Sequence, residues 1–195
     1  PEIRRRAAEK NATEKHDDMV RFEYIKHLGY YCTESSEHNA EYNPLFIKSR
    51  YPEMIEKYNI PLDEYPRRCV EQIKGWEKER EDILKDGKVT HERSKEYASY
   101  IMEAGNPYKI GGNVLNTGLI DNLPSDACVE VPCMVDANGI NPCHVGRLPV
   151  QLAAMNMTNI NVQLLTIEAA ATRSKEKIYQ AAMLEPHTAA ELNID

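Results

Sequence analysis

The chain has 195 residues, 42% of them hydrophobic and 28% charged, enough to bury a core as one domain with room for an appended subdomain. A net charge of -7, from 31 acidic against 24 basic residues, argues against a phosphate-backbone partner, and no apolar run approaches the ~20 residues a bilayer-spanning helix needs. With no charged-then-apolar leader at the start, neither a nucleic acid nor a membrane is expected as a partner.

Residues 2 to 28 predict one or two helices. Met19, Val20, Phe22, Ile25 and Leu28 form an apolar stripe at helical spacing, and Gly29 stands where a helix commonly stops. Gly29 hands the chain into a polar run, Tyr30-Tyr31-Cys32-Thr33-Glu34-Ser35-Ser36-Glu37-His38-Asn39-Ala40-Glu41-Tyr42, with almost nothing apolar to bury. Such a run is either a solvated loop or a pocket wall able to hydrogen-bond a ligand with many hydroxyls. Residues 43 to 62 carry Pro44, Pro52 and Pro61 and a short helical pattern at Glu53 to Tyr58, a folded but irregular connection.

A long helix is expected from about Leu62 to Lys85, with Tyr65, Cys69, Ile73, Trp76 and Ile83 on one side, ended by Asp86-Gly87. Glu92 to Ala104 predicts another, and both read as scaffold. The pattern then turns to strands: Lys109 to Asn116, a turn at Thr117-Gly118, Ala127 to Val135, and a turn at Asp136 to Ile140. A small antiparallel sheet follows. Gly111-Gly112 lacks the helix and the Lys-Ser/Thr pair of a phosphate loop, so a turn or a close backbone approach is expected there. Glu130, the one charge in its strand, is expected to be solvated. From Pro149 onward the pattern is helical again, with small and methionine-rich faces suited to helix packing.

The five cysteines, Cys32, Cys69, Cys128, Cys133 and Cys143, make an odd set without closely paired spacings. No disulfide framework and a reducing cytoplasm are expected. Cys128, Cys133 and the Cys143-His144 step are poor zinc spacing, and buried thiols are the plainer reading. Pro1 in place of an initiator methionine, and a fresh helical start at Glu185 to Leu192, suggest a piece of something longer.

Several segments together carry a resemblance. Arg21-Phe22-Glu23, Leu28-Gly29-Tyr30-Tyr31, Thr33 to His38, Pro66-Arg67-Arg68-Cys69, Gly118 to Pro124, Val129-Glu130-Val131-Pro132, Val135 to Ile140 and Pro186-His187-Thr188-Ala189-Ala190 are similar to the C-terminal half of glycoside hydrolase family four, in its α-galactosidase (melibiase) branch. The similarity spans nearly the whole chain in one order. It implies an α+β fold, the C-terminal domain of the lactate/malate dehydrogenase-like type, with a small antiparallel sheet and packed helices. Residues 1 to 195 would then be a substrate-binding and assembly domain whose N-terminal dinucleotide-binding partner is absent.

The activity implied is hydrolysis of α-galactosides such as melibiose, dependent on NAD and Mn2+, by oxidation at C3, elimination, water addition and re-reduction. The family departs from two-carboxylate glycoside hydrolysis because a carbonyl beside C2 makes an inert C-H acidic enough for a side-chain base. The resemblance points to Tyr30 or Tyr31 as that base, with His27 the alternative in a different register. A phenol is a feeble base near its ordinary pKa of about 10, so a catalytic tyrosine needs a cation close by. Glu34, Ser35, Ser36, His38 and Asn39 are the implied substrate-binding residues. No metal ligand is assigned in this chain, since the family's metal-holding cysteine and histidine and its glycine-rich loop lie upstream of Pro1. A homodimer or homotetramer is expected, and the chain alone is expected to be inactive. A related α-glucosidase or α-galacturonidase, a lactate/malate dehydrogenase-like oxidoreductase domain, and a non-catalytic assembly module are the alternatives.

Overall fold

The computed structural model describes residues 2–87, 101–103 and 106–195. They divide into two compact units, one of Pro1–Leu62 with Pro149–Asp195 and one of Asp63–Leu148. The first is helical: α1 (Glu2–Thr13), α2 (Met19–Leu28), α3 (Ser36–Tyr42), α4 (Glu53–Lys57), then α6 (Val150–Thr172), α7 (Lys175–Leu184) and α8 (Pro186–Glu191). The second holds α5 (Glu64–Asp86) and three strands, β1 (Tyr108–Leu115), β2 (Cys128–Asp136) and β3 (Gly139–Pro142). The architecture is α+β.

In the helical unit α1 packs on α2, α2 on α3, α3 on α8, and α6 on α7. Its core gathers Val20 and Tyr24 of α2, Ala40 of α3, and Phe46 and Ile60 of the connection, with Leu28, Cys32, Ile47, Ile55, Tyr58 and Met155 packed around them. Three of the stripe's residues, Met19, Val20 and Ile25, are buried as the spacing predicts, whereas Phe22 is half-buried. Tyr24, absent from the predicted stripe, is the aromatic anchor. Its ring meets Phe46 edge-on at 5.8 Å, and its hydroxyl donates to the Asn39 carbonyl at 3.2 Å. Burial pushes this phenol up to about 12, so it stays a neutral donor. The proline-rich connection is irregular, as expected, yet it supplies two core residues.

The polar run after Gly29 is not one loop. Its second half is α3, started by Ser35, whose Oγ accepts from the His38 N-H at 3.2 Å. Periodicity could not reveal it: at seven residues, α3 has only Ala40 to mark an apolar face.

In the other unit the strand order is β1-β2-β3, all antiparallel. Strand β2 buries Val129, Val131, Cys133 and Val135 and exposes the residues between them, the alternation of a sheet with one covered face. Glu130 lies on the exposed face opposite Asn113. Strand β3 was not separately expected; four residues including Pro142 carry little strand signal. Gly111 and Gly112 sit inside β1, in no turn. A Cβ on Gly112 would come within 2.6 Å of the buried Cys133 Sγ, so the glycine is a close-approach site.

Helix α5 forms as predicted and ends at Gly87 in the left-handed conformation, φ 63°. Its stripe, expected to act as scaffold, is only partly covered: Cys69 and Ile83 are half-buried, while Tyr65, Ile73 and Trp76 are exposed. Spacing tells which side of a helix is apolar, not what meets it. The helix expected at Glu92 to Ala104 lies outside the described residues except for Ile101 to Glu103, which are helical. All five cysteines are free thiols, with Cys133 buried and Cys128 and Cys143 exposed.

Replacing Gly112 by Ala should destabilise the chain by about 1–3 kcal/mol through overpacking against Cys133. In chemical denaturation the double variant Gly112→Ala/Cys133→Ala should recover part of that loss, because it clears the sulfur from the contact.

Candidate active site

The corner from Leu28 to Tyr42 begins where α2 ends. Gly29 adopts φ 87°, a left-handed turn that an L side chain rarely takes, and its N-H donates to the Tyr24 carbonyl at 3.2 Å. Beyond it Tyr30 and Tyr31 leave the core with exposures of 51% and 48%. Tyr31 is flanked on two sides. The Arg21 guanidinium lies 4.8 Å from its ring centroid and the Phe22 ring 6.5 Å away. Arg21 is itself fixed, through an ion pair with Asp18 and a bond from Nη1 to the Thr33 carbonyl at 3.3 Å. A cation over an exposed aromatic face contributes about 0.5–1 kcal/mol.

The predicted polar residues divide into two groups. Ser35, Ser36 and Asn39 face inward. Ser36 Oγ accepts from the Arg21 N-H at 3.3 Å, and Asn39 Nδ2 donates to the Glu34 and Ser35 carbonyls at 3.0 and 2.8 Å. Together with the Ser35 cap they tie α3 to α2 and hold the corner in shape. Glu34 and His38 face outward. Glu34 Oε1 accepts from the Ser35 N-H at 2.8 Å, which leaves its second oxygen free of any bond among the described residues. His38 Nδ1 meets Glu41 Oε2 at 2.9 Å, and its ring stacks on Tyr42 at 5.7 Å with an interplanar angle of 10°. The Glu41 hydrogen bond raises the His38 pKa above its ordinary value, against a smaller opposing effect of burial, and Glu34 and Glu37 add to the rise. His27, the alternative base, faces Glu23 with Nε2 to Oε2 at 3.2 Å.

Two residues outside the predicted set help frame the corner. Glu41 orients His38, and Arg21 braces Tyr31. An i, i+3 spacing on α3 would have found Glu41, given the helix; Arg21 reaches Tyr31 only through the α2 turn.

A model of the family 4 glycosyl hydrolase C-terminal domain matches residues 1–188. The chain belongs to glycoside hydrolase family 4. Within that family it is 65% identical to an α-galactosidase of Bacillus subtilis (strain 168), over 100% of this chain and 45% of that protein. It is 34% identical to an α-galactosidase of Rhizobium meliloti (strain 1021), over 87% of this chain and 37% of that protein. The chain thus spans less than half the length of these family 4 relatives. In fold it matches the crystal structure of the Bacillus subtilis protein lplD, with TM-score 0.76 at 19% identity over 94% of this chain and 45% of that one. It also matches a 6-phospho-α-glucosidase from gut microorganisms solved in complex with NAD and Mn2+, with TM-score 0.66 at 19% identity over 97% of this chain and 46% of that one.

The described residues do not themselves fit a family 4 metal centre: no three or more His, Cys, Asp or Glu side chains group so as to hold an ion. The exposed pair His144 Nε2 and Asp121 Oδ1, at 2.9 Å, supplies two such groups, too few for an octahedral ion. Gly111 and Gly112, lying inside a strand, provide no phosphate-binding turn. No described helix is long and apolar enough to cross a membrane.

Because the folded pKa of His38 is raised, its pair with Glu41 stabilises the fold below the unfolded histidine value and loses that effect as pH rises through the folded pKa. An NMR titration should find the His38 midpoint above ~6.5 and show it moving down in Glu41→Gln. The difference in melting temperature between the two proteins should be present at about pH 5.5 and vanish at about pH 8.5.

Proposed function

We propose that this chain is the substrate-binding and assembly half of an α-galactosidase that requires NAD and Mn2+ and cleaves α-galactosides by oxidation at C3, elimination, water addition and re-reduction. The observation that carries this reading is the 65% identity to the Bacillus subtilis α-galactosidase along the entire chain. It favours a galactoside over the glucoside and galacturonide alternatives. A relative named maltose-6'-phosphate glucosidase, also from Bacillus subtilis, is 28% identical over 83% of this chain. Cofactor and metal are read as belonging to the part of the enzyme beyond this chain, where the family resemblance puts its glycine-rich loop and metal-holding residues. Support for their presence is the NAD and Mn2+ in the 6-phospho-α-glucosidase complex.

Within this chain the role falls to the corner after α2. A tyrosine there, acting as phenolate, takes the C2 proton of the sugar on its oxygen, which becomes the hydroxyl. Tyr31 is the better placed of the two, since it has the Arg21 cation against its ring. Glu34 and His38, with their outward polar atoms, hydrogen-bond sugar hydroxyls, the first as acceptor and the second through Nε2, an acceptor in the neutral ring and a donor in the imidazolium. Ser35, Ser36 and Asn39 serve the substrate by holding these groups in place. A cytoplasmic homodimer or homotetramer completes the proposal.

In the full-length enzyme, Tyr31→Phe should lower kcat on p-nitrophenyl α-galactoside by ~10²–10⁴-fold, the range expected for loss of a general base, with Tyr30→Phe affected less. Unchanged turnover in both variants would reduce the domain to an assembly role.

A further inference from the structure

The two peptide carbonyls that lead into the tyrosine pair are both held by side chains from distant parts of the helical unit. Gln151 on α6 donates from Nε2 to the Leu28 carbonyl at 3.1 Å, across 123 residues of sequence. Arg4 on α1 donates from Nη2 to the Gly29 carbonyl at 3.0 Å, across 25 residues. These are acceptors that a helix C-terminus leaves without intrahelical partners, and on an exposed turn water would ordinarily take them. Here two exposed side chains take them instead.

Arg4 is set apart from its neighbours. Arg5 and Arg6 both pair with Glu2, whereas Arg4 pairs with no carboxylate among the described residues and lies against the turn. A Cβ added to Gly29 would stand 3.3 Å from its Nη2. Two positions further along α6 extend the same arrangement. Met155 packs on the core cluster beneath the corner, and Asn159 Nδ2 reaches the Tyr42 carbonyl at 3.4 Å, at the corner's far end. Gln151, Met155 and Asn159 follow one another at steps of four along α6, so one side of that helix runs along the corner.

We propose that Arg4 and Gln151 are positioning residues for the tyrosine pair: by fixing the Leu28 and Gly29 carbonyls they set the direction in which Tyr30 and Tyr31 leave α2. The inference rests on the proposed role of those tyrosines. Exposed hydrogen bonds add little to global stability, while a reacting group displaced by about 1 Å can lose ~10²-fold in rate. The clamp therefore matters for turnover far more than for folding.

The test is made in the full-length enzyme with Arg4→Met, Gln151→Leu and the double variant. Three quantities are read: kcat and KM on p-nitrophenyl α-galactoside, the thermal midpoint, and amide hydrogen exchange at Tyr30 to Cys32. The double variant should lose ~10–100-fold in kcat with KM nearly unchanged, melt close to the wild type, and exchange faster at those amides. Arg4→Lys, which keeps a donor and the charge, should recover most of the turnover lost in Arg4→Met. Full turnover in the double variant, unaltered amide exchange, or a loss that tracks melting temperature and is not recovered by Arg4→Lys would each overturn the proposal. A wild-type enzyme inert on α-galactosides would defeat the glycosidase reading instead, and amide exchange would still decide whether the clamp exists.

Discussion

The left-handed turn at Gly29 governs what the helical unit can present. Helix α2 must bury Val20 and Tyr24, and a helix that simply ran on would carry the next residues along the same cylinder. At φ 87° the chain instead breaks out of the helix within one residue, and two tyrosines reach solvent directly beside a packed core. The bond from the Gly29 N-H to the Tyr24 carbonyl ties this break to the same tyrosine that anchors the core. Core and corner are thus parts of one arrangement, linked again by the Tyr24 hydroxyl on the Asn39 carbonyl.

The tyrosines of this small region have different roles because their surroundings differ. Tyr24 is buried, and its phenol is pushed up to about 12, which makes it a structural donor and nothing else. Tyr31 stands half in water with a guanidinium over its ring. Tyr42 supplies a flat surface on which His38 stacks. Residue type alone could not separate these roles; burial and a neighbouring cation do. The polar residues of the run divide in the same way. Ser35, Ser36 and Asn39 satisfy backbone groups of the corner, and Glu34 and His38 keep polar atoms toward solvent.

Much of the fold was legible in sequence because it depends on short-range regularities. The α2 stripe, the Gly29 stop, the strand run that becomes β2 and the end of α5 at Gly87 all follow from side-chain pattern and backbone preference within a few residues. Tyr24 lies outside the stripe, and α3 shows no apolar period, for a common reason. A tyrosine is counted polar until something covers its ring, and a helix with only Ala40 on its apolar side announces itself through its Ser35 cap alone. The stripe of α5 is the converse, an apolar pattern of which Tyr65, Ile73 and Trp76 find no cover among the described residues.

By itself, the sequence determined the family and the α+β class, since these rest on ordered motifs and local patterns that survive without coordinates. Tertiary structure decided which of the polar residues are free. It brought Arg21 onto Tyr31, turned Asn39 inward, and delivered Arg4 and Gln151 to adjacent carbonyls from positions 25 and 123 residues away. Hydrogen-bond partners so far apart along the chain leave no periodic trace; only packing brings them within 3 Å or so of each other.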